Sequence, residues 1–365
     1  MTAEIMADGM PIPSSTAPGD STGIDGAPPV SVEGEPGEQP RRRPRRKAIF
    51  LLALLGLLAT LVTIVIWYLL FRQPIAVLPL PGIPETQVPS YSTALYGAVQ
   101  PSGIAVSPSG DRIYVVQSEG DRTGVIFDAS GTKVGAMAPP ASTGTEHAPV
   151  YVAIDPLTGE VYVSDRPTGS IYVYDHDGAY QRTFALAQSR PGWQPLGLAF
   201  DARGYLYVTD LSGPVAKILV IDRAATVVRT LGENDNLSFP NGVAVDGAGD
   251  VYVTDSNNGR LLVYGPDGTV RAQVGRGSGQ GNLGLPRGVA VDPLGHVFVA
   301  DATGQGVFVY RTPGDGSSRL DYLGFIGGQG VADGQFLYPN SVAVDARGRV
   351  YVADTFNDRV QIWSY

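Results

Sequence analysis

From Tyr91 to the end of the chain, short apolar runs alternate with polar, glycine-rich turns. Val251-Tyr252-Val253-Thr254-Asp255 and Val350-Tyr351-Val352-Ala353-Asp354 show the pattern: a brief run closed by an aspartate. Runs this short, rich in β-branched and aromatic residues and bounded by Gly, Asp and Pro, predict strands rather than helices. One segment breaks the rhythm. Ala48–Phe71 is 24 residues without a charge, which as a helix would span about 36 Å, enough to cross a bilayer core.

The strand-forming part repeats. Six segments align: Pro101-Ser102-Gly103-Ile104-Ala105-Val106, Pro149-Val150-Tyr151-Val152-Ala153-Ile154, Pro195-Leu196-Gly197-Leu198-Ala199-Phe200, Pro240-Asn241-Gly242-Val243-Ala244-Val245, Pro286-Arg287-Gly288-Val289-Ala290-Val291 and Pro339-Asn340-Ser341-Val342-Ala343-Val344. Successive prolines stand 48, 46, 45, 46 and 53 residues apart. A period of this length with several strands per unit predicts a β-propeller, and six units predict six blades. The chain stops at Tyr365, at the end of a third strand, so the sixth blade lacks an outer strand of its own. The spare β-like segment Tyr91–Gly97 is expected to pair with Val360–Trp363 and close the ring, hiding an open edge.

The full pattern is Pro-x-Gly-Val-Ala-Val-Asp, then Gly-x-Val-Tyr-Val-Ala-Asp-x-x-Asn-x-Arg-Val. It resembles the NHL repeat. Units four and six match almost throughout, including Asp255, Asn258 and Arg260, and Asp354, Asn357 and Arg359. Unit three keeps Lys217 near the basic position, units two and five lack the Asn-x-Arg element, and unit one has Ser107 and Gln117 in place of both aspartates. The resemblance implies an all-β, six-bladed propeller over residues 91–365.

Charge and composition place that domain. Residues 1–72 carry 7 basic and 7 acidic side chains, so the whole net charge of −9 falls on the remainder. That is a poor match for a phosphate backbone, so no nucleic-acid partner is expected, although eukaryotic NHL proteins act in RNA regulation. Arg41-Arg42-Arg43-Pro44-Arg45-Arg46-Lys47 precedes the apolar run and only Arg72 follows it closely. This asymmetry predicts a single-pass cell-membrane anchor over 48–71, with the N-terminus cytoplasmic and the propeller extracytoplasmic. The run is longer than a signal-peptide core and lacks a small-residue cleavage site after it. Residues 1–47 read as a disordered cytoplasmic tail ending in the basic run. Residues 72–90, with five prolines, read as a semi-rigid stalk. Some receptor-type bacterial kinases carry a similar propeller as an external sensor, but this chain has no kinase pattern.

Chemistry is sparse. There is no cysteine. Asp165, Asp210, Asp255, Asp301 and Asp354 close the second strands at one offset per unit, which predicts loop caps rather than a shared cation site. Gly279-Gln280-Gly281-Asn282-Leu283-Gly284 fits the dinucleotide fingerprint, but no helix follows to receive a pyrophosphate. His147, His176 and His296 fall at different places in their units, so they lack the His-bound zinc of the amidating lyases that resemble NHL propellers. No catalytic residue, metal ligand or cofactor is therefore assigned, and Asn236-Leu237-Ser238 fits a glycosylation sequon that carries no weight if the host is bacterial.

Loops after the prolines and after the second strands are expected to share one face, where function on such scaffolds resides. Its candidate binding residues are Arg166, Trp193, Asn241, Asn257, Arg287, Tyr338, Asn340 and Phe356. Polar, cationic and large apolar groups together suggest a binding or scaffold module for a protein, peptide or glycan. The alternative is a lyase- or lactonase-like enzyme with its site in the central channel.

Overall fold

The computed structural model describes residues 54–64, 88–141, 146–277, 279–312 and 318–365. Residues 54–64 are helical and exposed. The rest of the apolar run at 48–71, the tail over 1–47 and nearly all of the stalk lie outside the described residues. Among the described residues, no helix is long and apolar enough to cross a membrane.

Six four-stranded antiparallel sheets follow. Blade one is Pro101–Val106, Arg112–Gln117, Gly124–Asp128 and Lys133–Met137. Blade two is Pro149–Ile154, Val161–Asp165, Ser170–Tyr174 and Tyr180–Phe184. Blade three is Pro195–Phe200, Leu206–Asp210, Lys217–Ile221 and Val227–Leu231. Blade four is Pro240–Val245, Val251–Asp255, Arg260–Tyr264 and Val270–Val274. Blade five is Pro286–Val291, His296–Asp301, Gly306–Arg311 and Asp321–Gly327. Blade six has three strands from the C-terminus, Pro339–Val344, Val350–Asp354 and Arg359–Ser364, and takes its fourth from Ser90–Tyr96. That strand runs antiparallel to the last one, with Ser90 opposite Ser364 and Tyr96 opposite Arg359. Ring closure by the N-terminal segment is thus as the strand count requires.

The second strands are buried along their whole length in blades two, three, four and six, and at all but the first residue in blades one and five, because each blade packs on both neighbours. Tyr207, Ile218, Val220 and Leu231 of blade three, for example, pack with Val243, Val253, Leu262 and Tyr264 of blade four. At the seam, Leu95 joins Val360 and Ile362 of blade six against Ile104, Val115 and Phe127 of blade one. Close-packed apolar cores between blades hold the ring. Polar staples supplement them. The Ser164 hydroxyl donates to the Leu196 carbonyl at 2.7 Å, Ser102 to Pro149 at 3.1 Å, and Thr355 to Pro101 at 2.8 Å, each from one blade to the next.

Candidate binding face

The end-of-strand aspartates shape the loops that carry the face. Asp165, Asp210, Asp255, Asp301 and Asp354 are all at most 1% exposed. Each accepts from a backbone N–H just ahead of its own blade's proline: Ala148, Gln194, Ser238, Leu285 and Leu337. In blade one the Gln117 side-chain oxygen takes that place and accepts from Val99 at 2.7 Å. These groups are loop caps: buried acceptors matched to backbone donors that would otherwise lack partners.

Their cationic partners vary. Arg260 donates to Asp255 at 2.7 Å and Arg359 to Asp354 at 2.8 Å, the pairs expected from the repeat pattern. Arg359 also donates to the Ala332 and Gln335 carbonyls, tying down the incoming loop. In blade three the partner of Asp210 is Arg190, from the loop before the proline, and not Lys217. In blade two it is His147, whose Nδ1 lies 3.2 Å from Asp165. Asp301 is served by backbone N–H groups and the Thr303 hydroxyl. The histidines do not converge: His176 is beside Asp177 and His296 beside Asp292. Among the described residues, no three His, Cys, Asp or Glu side chains gather as a metal site.

Backbone geometry then selects which side chains reach the face. The residue before the proline is left-handed in three blades: Gln100 at φ +42°, Phe239 at φ +56° and Tyr338 at φ +60°. This region is unfavourable for bulky L-residues. It projects Phe239 and Tyr338 out of the ring's packing. Arg166 of blade two lies over the Phe239 ring of blade four, at 5.1 Å from its centroid. Arg287 of blade five lies over the Tyr338 ring of blade six at 5.6 Å. Tyr338 in turn stacks on Phe356 at 5.0 Å and 26°, and Phe356 is 52% exposed.

Beneath these rings the asparagines are structural ties. Asn340 is buried, donates to the Ser102 carbonyl at 2.6 Å and accepts from Arg287 Nε at 3.0 Å. Asn241 is buried and donates to the Ser256 hydroxyl at 2.6 Å. Asn257 is exposed beside Ser238. Trp193 is half-buried, leans on Phe184 at 6.2 Å and packs against the core between blades two and three. The structure therefore brings Arg287, Asn340, Tyr338 and Phe356 into one contiguous group, places Arg166 over an aromatic ring of the same loop class, and sets Trp193 in packing. Phe239 escaped the sequence reading because nothing in the composition of its loop distinguishes it.

A family model for the NHL repeat matches residues 237–264, 283–310 and 336–363. No curated protein matches the chain in sequence. Solved structures match its fold. U3-55K is 16% identical, with a TM-score of 0.54 over 76% of this chain and 100% of that one. A streptogramin B lyase is 14% identical, with a TM-score of 0.52 over 77% and 99%. A structural-genomics protein of unknown function from Bacteroides thetaiotaomicron is 18% identical, with a TM-score of 0.56 over 76% and 72%. At these identities the likeness is one of fold. The chain is thus a six-bladed β-propeller carrying NHL repeats, matched in blades four, five and six.

Proposed function

We propose that this protein is a membrane-tethered, extracytoplasmic binding or scaffold module that recognises a protein, peptide or glycan through the face bearing Tyr338 and Phe356. The observation that carries the reading is the grouping of Arg287, Tyr338 and Phe356 on one face. A stacked aromatic pair, Phe356 exposed and Tyr338 half-buried, beside a guanidinium has the composition of an interface centre. The tether rests on the uncharged run at 48–71 and the basic cluster ahead of it.

Two experiments test this. Affinity recovery from envelope extracts with the detergent-solubilised full chain should lose its partner with Arg287→Glu and with Phe356→Ala. Retention of the same partner by both variants overturns the choice of face. Stoichiometric zinc or calcium in the purified chain would redirect the assignment to an enzyme. For topology, the chain has no native cysteine, so Ser130→Cys in an exposed turn supplies a unique label. An impermeant maleimide should label it on intact cells; labelling only after lysis rejects the extracytoplasmic placement.

A further inference from the structure

Blade two departs from the repeat at Tyr151, which stands where four other blades have glycine. At Gly103, Gly242 and Gly288 an added Cβ would meet the next blade's backbone at 2.5 to 2.7 Å. At those three positions the inner strands leave no room for a side chain. Tyr151 belongs to none of the clusters between blades. It is 6% exposed, and its hydroxyl is buried without a hydrogen-bond partner. Such an orphan is uncommon and marks a place where a partner is missing. The ionisable groups acting on that hydroxyl are Arg287 and Tyr338, from blades five and six. Blade five is opposite blade two in a ring of six, so the inner strand bearing Tyr151 faces the one bearing Arg287 across the central channel. Burial raises the pKa of Tyr151, which keeps the hydroxyl a proton donor at neutral pH.

Arg287 is prepared on its own side. Nε is held by Asn340, and Asn340 by the Ser102 carbonyl. The guanidinium is half-buried over Tyr338. Among the described residues, no carboxylate lies within 4.0 Å of it and its two terminal nitrogens make no hydrogen bond. A half-buried cation without a counterion, in a chain of net charge −9, is a place for an anion from outside.

We infer that the mouth of the central channel binds a carboxylate-bearing ligand, with the Arg287 fork and the Tyr151 hydroxyl on the carboxylate and the Tyr338–Phe356 pair on an adjoining flat apolar group. One fork and one neutral donor suit a single negative charge. This rests on the binding-face reading above and adds the ligand's chemistry to it.

Benzoate, benzamide and inorganic phosphate serve as probes, titrated into the detergent-solubilised full chain and followed by saturation-transfer NMR and calorimetry. Benzoate should bind at least about tenfold tighter than benzamide. Arg287→Met should weaken benzoate about tenfold or more, and Tyr151→Phe by several-fold. Tyr151→Phe should leave the melting temperature unchanged or raised, since the hydroxyl it removes has no partner, and should leave benzamide unaffected. Equal binding of benzoate and benzamide, or no effect of Tyr151→Phe on benzoate, overturns the inference. Phosphate binding tighter than benzoate overturns the carboxylate assignment. If benzoate fails while partner recovery still depends on Phe356, the anion site falls and the binding face stands.

Discussion

Blades five and six receive the chain from equally long approaches and present it differently. Leu283 and Phe336 are both buried anchors three residues ahead of their prolines. In blade five the intervening backbone stays out of the left-handed region and Asp301 accepts from both Gly284 and Leu285. In blade six the pre-proline Tyr338 turns left-handed, Asp354 accepts from Leu337, and the Tyr338 N–H goes to the Gln305 side chain at 2.7 Å. Blade five presents a half-buried leucine, Leu285, before its proline; blade six presents an aromatic ring stacked on the exposed Phe356. The same carboxylate at the same offset supports both outcomes. What differs is the side-chain network around it. Asp354 holds Asn357, Arg359 and Gln361 at 2.8 to 2.9 Å, whereas among the described residues Asp301 pairs with no cation. A stiffer cap tolerates a strained neighbour, and the strain puts the ring on the face.

The largest effect should come from taking blade six apart. Deleting residues 90–96 removes its outer strand and leaves Arg359–Ser364 as an open edge at the seam. Loss of Leu95 and the strand pairing should cost several kcal/mol, lowering Tm by roughly 10 °C or more in a calorimetric scan. An unchanged Tm would mean that the seam contributes nothing to the ring.

Next come the two caps. Asp354→Asn leaves Arg359, only 4% exposed, without its buried counter-charge, and should cost about 3–5 kcal/mol in urea unfolding. Asp301→Asn has no cation to strand and should cost about 1–3 kcal/mol. Equal losses would erase the distinction drawn between the two blades. Mapped by hydrogen exchange, the first substitution should release amides around Leu337 and Tyr338 and the second those around Gly284 and Leu285.

Much of this was written in the chain. Six prolines at near-constant spacing counted the blades, and the missing outer strand of the last one pointed to Tyr91–Gly97. The repeated aspartates read as caps because one per unit at a fixed offset is what a cap requires. Partners from outside the repeat were not legible: Arg190 lies in the approach loop before Pro195, outside the aligned repeat positions, and only folding brings it to Asp210. The left-handed residues were hidden too, since Leu237, Leu283 and Phe336 stand at the same distance from their prolines although, of these three blades, four and six turn left-handed and five does not. Tyr151 had a signal, the break in Pro-x-Gly, but its meaning depends on which blade stands across the channel. Asn241 and Asn340 carried the polarity expected of a binding surface; burial turned them into ties between strands.

The finest test of the contrast is a glycine placed before the proline. Tyr338→Gly relieves a left-handed conformation worth about 1–2 kcal/mol of strain, against which it loses a stacking contact of about 0.5–1.5 kcal/mol with Phe356. The two nearly cancel, so urea unfolding should change by less than about 1 kcal/mol while partner recovery falls. Leu285→Gly in blade five has no positive φ to relieve. It only adds freedom to the unfolded chain and removes a side chain, so it should destabilise by at least about 0.5–1 kcal/mol. If both glycines destabilise equally, Tyr338 is unstrained, and its place on the face owes nothing to the backbone. If only Leu285→Gly does, strain at Tyr338 is offset by its own ring contacts, and binding at this face depends on a conformation that the blade six cap holds in place.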